Sequence, residues 1–179
     1  MAQLKLVETQ SAETQFPEDQ LPEDQLPEPT FGENQWLILG HRAFMSQLDR
    51  YKQDAIQAQA RVNDDWVKTA AGKKIAALRQ QVFVRVPRNP SDFEFRLGNA
   101  LGPNYRNWFR AKFLQQFRLF FRFSSQNKII VYGWVNNTDT LLAYGPPNDA
   151  YLVFRRMLEA GKVPDNWDQL IAEAAKLSD

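Results

Sequence analysis

Between residues 106 and 123, apolar and polar side chains sort by position parity. Even positions hold Arg106, Trp108, Arg110, Lys112, Arg118, Phe120 and Arg122, while odd positions hold Phe109, Ala111, Phe113, Phe117, Leu119, Phe121 and Phe123. Successive side chains on a strand point to opposite faces. The pattern therefore predicts two strands with one apolar face and one basic face studded with aromatics. After a turn at 124–127, Lys128 to Val135 is apolar on both faces and is predicted to be a central strand. Upstream, Trp36 to Leu39, ended by Gly40, reads as a short buried strand. Phe44, Leu48, Tyr51, Ala55, Ala58 and Val62 then step by three and four, the spacing of a helix face. Asn63, Asp64 and Asp65 offer a cap for a second helix carrying Val67, Ala71, Ile75, Leu78 and Val82, with Gly72 as its weak point and Pro87 to Ser91 as its end. Near the C-terminus, Tyr151, Phe154, Met157 and Leu158 predict a helix stopped by Gly161. Pro164 and Asp165 open another, with Trp167, Leu170, Ile171 and Ala174. The order β-α-α-β-β-β-α-α predicts an α+β fold: a small antiparallel or mixed sheet, a helix pair packed on one face, C-terminal helices, and a basic face left partly open.

Residues 1–35 break this patterning. Phe16, Leu21 and Leu26 are each followed by Pro-Glu, and a large apolar residue recurs every five positions to Phe31. That period suits neither helix nor strand, and the prolines disfavour helix, so a disordered acidic tail rich in Pro, Gln and Glu is expected, with the folded domain spanning 36–179. The tail carries one lysine against eight carboxylates. The remaining 21 basic and 13 acidic side chains leave the body at +8, although the whole chain is only +1. A basic body points to an anionic partner, and the tail is either a solubilising extension or a tethered strip that competes for the basic face. There is no cysteine and a single histidine, which leaves no thiol chemistry and no ordinary zinc or haem ligand set. The N-terminus lacks an apolar signal core, so a cytoplasmic protein is expected.

No phosphate-binding glycine loop, nucleophile elbow or HExxH motif is present. Chemistry must then run on Arg, Lys, Tyr, Asn, Trp or scattered carboxylates. RNA cleavage suits such a set. The 2′-hydroxyl attacks the adjacent phosphate, and the protein need only orient the chain, stabilise charge on phosphorus and move protons, with no cofactor or metal. Arginines make bidentate phosphate contacts, and aromatics hold unstacked bases. On this reading Arg106, Trp108, Phe120, Arg122, Trp134 and Asn136 are candidate RNA-binding residues. The same charges also fit the solvated face of an amphipathic sheet. Trp134, which shares parity with Tyr132, also fits a packed core. His41 opens the first helix and is expected to make a structural contact at the strand–helix junction, and Asp139 and Asp149 read as turn and cap residues.

Three stretches carry a family resemblance: FRLFFRF at 117–123, VYGWVNNTDTLLAYG at 131–145, and NDAYLVFRRML at 148–158 followed by PDNW at 164–167. Their order and spacing resemble the YhaV family of toxins, within the RelE/ParE-like superfamily of toxin–antitoxin systems, over Trp36 to about Ala174. The resemblance implies helices against a curved antiparallel sheet, an mRNA endoribonuclease that halts translation, in some cases on the ribosome, and a co-expressed antitoxin of the AbrB-like or PrlF type. It also implies site residues. Arg110-Ala111-Lys112-Phe113 matches the basic-apolar-basic-apolar strand of superfamily ribonucleases, Arg118 the arginine of the next strand, and Tyr144 the tyrosine after the last core strand. Arg110, Lys112, Arg118 and Tyr144 are thus the expected catalytic set. Where RelE-type enzymes carry an arginine at the end of the last core strand, this chain has Asn136 and Asn137. The alternatives are a ParE-like toxin acting on DNA gyrase and a non-catalytic RNA-binding module.

Overall fold

The structure, a computed structural model, describes residues 36–138 and 149–177; the acidic tail, Asp139 and Tyr144 lie outside these, as does the side chain of Asp149. Strand β1 (Leu37–His41) leads directly into helix α1 (Arg42–Val62). His41 makes that junction. Its Nδ1 accepts from the Ala43 backbone N–H, so the proton sits on Nε2, which donates to Glu173 at 3.1 Å. The fully buried imidazole is thus a structural contact, as expected. A 3₁₀ turn at Asn63–Lys68 follows, and helix α2 (Ala70–Arg79) is capped by Thr69 rather than by Asn63, Asp64 or Asp65. Gly72 is required there: a Cβ would lie 2.4 Å from the Trp66 carbonyl oxygen. The helix path runs on through a wider turn at Gln80–Arg85 to Arg88.

Strands β2 (Phe109–Phe113), β3 (Phe117–Ser124) and β4 (Ile129–Val135) are followed by helices α3 (Asp149–Glu159) and α4 (Trp167–Ala172). A short strand β5 (Ala174–Lys176), which the apolar pattern assigns to the last helix, closes the sheet. The five strands lie in the order β2-β3-β4-β1-β5, with β4 central as predicted. β1 runs parallel to β4 and every other pair is antiparallel.

The odd face behaves as its pattern requires. Ala111, Phe117, Leu119 and Phe121 pack with Ile130, Tyr132 and Val135 against Phe44, Tyr51, Ile75 and Leu78 of α1 and α2. The even face is not open, contrary to the reading from charge. Trp108, Phe120, Val131 and Trp134 form a second core with Phe154, Leu158 and Leu170 of α3 and α4. The arginines and the lysine flank an apolar centre, and the C-terminal helices cover that centre. Trp108, Phe120 and Trp134 are at most 3% exposed, so none can stack a base.

A bulge makes this second core possible. Phe120 pairs with Trp134 but Phe121 pairs with Tyr132, leaving Gly133 as the extra residue. Trp134 therefore turns to the face opposite Tyr132, which simple parity could not show. The bulge must be glycine, because a Cβ there would meet the Trp108 ring at 2.6 and 2.8 Å. Gly133→Ala is expected to destabilise the fold by roughly 1–3 kcal/mol, the cost of overpacking a full core, read as a lower urea midpoint. An unchanged midpoint would contradict this account of the bulge.

Candidate active site

The β2–β3 hairpin gathers the predicted basic set. Its turn, Leu114 to Gln116, is strained, with Leu114 and Gln115 at φ 44° and 63°. Asn136, at the end of β4, holds it: the amide donates to the Gln116 carbonyl at 3.1 Å and accepts from the Arg118 N–H at 2.6 Å. Asn136 is itself pinned, since its carbonyl accepts from the buried Tyr51 hydroxyl at 2.7 Å. Burial, reinforced by Asp54, pushes that phenol well above its ordinary range, so it remains a donor. Asn136 has no exposed surface. It positions Arg118 instead of touching RNA, which corrects its expected role.

Lys112 and Arg118 face each other directly across the two strands. Like charges in that register destabilise a hairpin. Neither makes an ion pair among the described residues, and Lys112 is exposed. The Arg118 Nη1 folds back onto the Gln115 and Phe117 carbonyls at 2.6 and 2.9 Å, while its Nε is buried with no partner. An anion seated at the hairpin would relieve the repulsion between Lys112 and Arg118.

Arg110 lies on the same face. It donates through Nε to the Tyr151 hydroxyl at 2.8 Å and through Nη1 to the Glu94 carbonyl at 2.9 Å. Because the guanidinium donates, the phenolic proton of Tyr151 is free for another acceptor. Tyr151, half-buried on α3, sits edge-on to Phe120 with centroids 5.7 Å apart. In the sequence it is hidden inside an apolar helix stripe. The usable signal was its place one turn before Phe154, on the helix face turned to the even side of the sheet. The structure thus brings Arg110, Lys112, Arg118 and Tyr151 to one face.

Arg122 is diverted to structure. Its Nη1 donates to the Asp165 carbonyl, and its guanidinium lies 5.8 Å from the Trp108 ring centre and 5.3 Å from that of Trp167. Burial lowers its pKa below the ordinary arginine value, with Asp165 opposing. It straps the loop before α4 onto the sheet. Trp108 anchors the same loop by donating from Nε1 to Asp165 Oδ1 at 2.8 Å. Arg106 is exposed, bonded through Nε to Asn99 Oδ1 at 3.1 Å.

Residues 38–175 match the family described as "Toxin with endonuclease activity, of toxin-antitoxin system", Toxin_YhaV. The chain is also similar to "Ribonuclease toxin YhaV" of Escherichia coli (strain K12), 34% identical over 142 residues that span 78% of this chain and 92% of that protein. The same identity and coverage hold for "Toxin YhaV" of Escherichia coli O157:H7. No described helix is long and apolar enough to cross a membrane.

If Asn136 positions the hairpin turn, Asn136→Ala will leave the Arg118 N–H and the Gln116 carbonyl without partners. Unfolding free energy should drop by roughly 1–3 kcal/mol. A denaturation curve superimposable on that of the unaltered protein would refute this role.

Proposed function

This chain belongs to the YhaV family of toxins, which have endonuclease activity and act within toxin–antitoxin systems, and we propose that it cuts messenger RNA at the β2–β3 hairpin by attack of a 2′-hydroxyl on the adjacent phosphate. Membership implies an antitoxin partner. The proposal extends to an AbrB-like antitoxin of the PrlF type, to mRNA in the cytoplasm, and to cutting on or near the ribosome.

The observation that carries this reading is Lys112 set directly across the strand pair from Arg118, neither of them in an ion pair among the described residues. Arg118 and Lys112 hold the non-bridging oxygens, and Arg118 compensates the charge that grows on phosphorus. The 2′-oxygen forms a bond to phosphorus and loses its proton to water. The bond from phosphorus to the 5′-oxygen breaks, leaving a 2′,3′-cyclic phosphate. Tyr151 supplies the proton to the departing 5′-oxygen, and the Arg110 guanidinium, already bonded to its hydroxyl, steadies the phenolate until water reprotonates it. Tyr144, which the family resemblance suggested for proton transfer, lies outside the described residues.

Arg118→Gln should lower RNA cleavage at least about 100-fold without a loss of thermal stability, the usual scale for removing one donor from a transition-state charge. Cleavage at the original rate in a folded variant would remove Arg118 from the mechanism. Tyr151→Phe keeps the ring against Phe120 but loses the hydroxyl. It should cost roughly 100-fold or more in the cleavage step, while RNA affinity changes little. Full activity in that variant would exclude Tyr151 as the proton donor.

A further inference from the structure

Beside the hairpin, at the edge of the sheet, lies a cleft of about 760 Å³ lined by Ser91, Phe93, Arg96, Gly98, Asn99 and Arg106, with Leu97, Trp108 and Phe109 as its floor. Its volume falls within the roughly 300–1,000 Å³ of small-molecule sites. Among the described residues, two arginines and no carboxylate line it. The nearby acids are spent elsewhere: Glu94 is paired with Arg85 at 2.9 and 3.1 Å, and Asp92 caps the Glu94 N–H at 3.0 Å. Phe93 is 81% exposed on the rim, and the Arg96 guanidinium lies 5.8 Å from its ring centre. A large bare aromatic is costly to leave in water, yet this one is flanked by cations and hydrogen-bonding side chains.

The cleft is contiguous with the proposed catalytic residues. Trp108 on its floor belongs to the same face of the sheet as Arg110, and the Arg110 Nη1 is bonded to the Glu94 carbonyl, within the segment that carries Phe93 and Arg96. A bridge between Arg96 and Phe109 fixes that segment to the edge strand. The wall is therefore built rather than a loose loop.

We infer that this cleft is a second nucleotide subsite, binding the unpaired base and phosphate next to the cut in single-stranded RNA. The inference rests on the nuclease reading for its orientation: with the scissile phosphate at Arg118, the strand passes Arg110 and enters the cleft. The base stacks on Phe93, Arg96 and Arg106 take the flanking phosphate, and Asn99 offers an amide to the base edge. Stacking tolerates every base, so the amide is the group able to confer a sequence preference.

The test uses the full chain and a short single-stranded RNA, fully 2′-O-methylated so that it binds without being cut, followed by fluorescence anisotropy. Phe93→Ala should weaken binding roughly tenfold, and Phe93→Trp should restore it. Replacing both Arg96 and Arg106 by Gln should flatten the dependence of log affinity on log salt by about 0.7 per arginine. Affinity and salt slope equal to those of the unaltered chain would overturn the subsite. Loss of antitoxin binding with RNA affinity intact would also overturn it, by making the cleft a protein-docking surface. Cleavage of unmodified RNA by the unaltered chain reads the nuclease assignment separately. If no cleavage occurs while Phe93→Ala still weakens binding, the nuclease reading fails and the subsite stands.

Discussion

Phe120 stacks on Phe154 at 4.3 Å and lies parallel to Trp134 at 6.0 Å, and this packing of sheet against C-terminal helix decides where charge can go. Each fully buried aromatic of this size contributes on the order of 2–3 kcal/mol. Once α3 and α4 cover the middle of the even face, the basic side chains flanking it have few destinations. Arg122 is drawn over two indoles as a strap. Arg110, Lys112 and Arg118 are confined to the hairpin, where Lys112 and Arg118 face one another with no ion pair to a carboxylate among the described residues. The concentration of positive charge at one end of the sheet is thus a consequence of core formation, and the same packing sets Tyr151 against Arg110.

Asn136 connects this arrangement to the first core. Its carbonyl is held by a tyrosine of α1, and its amide holds the strained turn and the backbone of Arg118. Asn137 adds a 2.5 Å bond to Gln47 of α1. Here the end of β4 is spent on placing an arginine of the neighbouring strand. The charge that grows on phosphorus in the proposed reaction accordingly rests on Lys112 and Arg118.

Much of the fold is legible from local patterning. Parity separates the two faces of β2 and β3, a doubly apolar run marks β4 as central, and His41 is recognisable as a junction residue. What escaped are long-range effects. Parity cannot reveal that the bulge at Gly133 sends Trp134 to the other face, nor that helices some thirty residues downstream will cover Trp108 and Phe120. The basic residues outnumber the aromatics on that face, so charge alone implies an exposure that packing removes. Of the expected site, Arg110, Lys112 and Arg118 come together because adjacent strands bring them together, a local fact. Tyr151 reaches Arg110 only through tertiary packing.

If the hairpin cuts RNA by internal attack of the 2′-hydroxyl, the ends of the products carry its signature. Purified full-length protein would be incubated with a defined RNA, and the new termini examined by mass spectrometry. Internal attack leaves a 2′,3′-cyclic phosphate or its hydrolysis product on one fragment and a 5′-hydroxyl on the other, with no cut where the attacking nucleotide is 2′-deoxy. Fragments ending in a 3′-hydroxyl and a 5′-phosphate, or cleavage that survives the deoxy substitution, would contradict it.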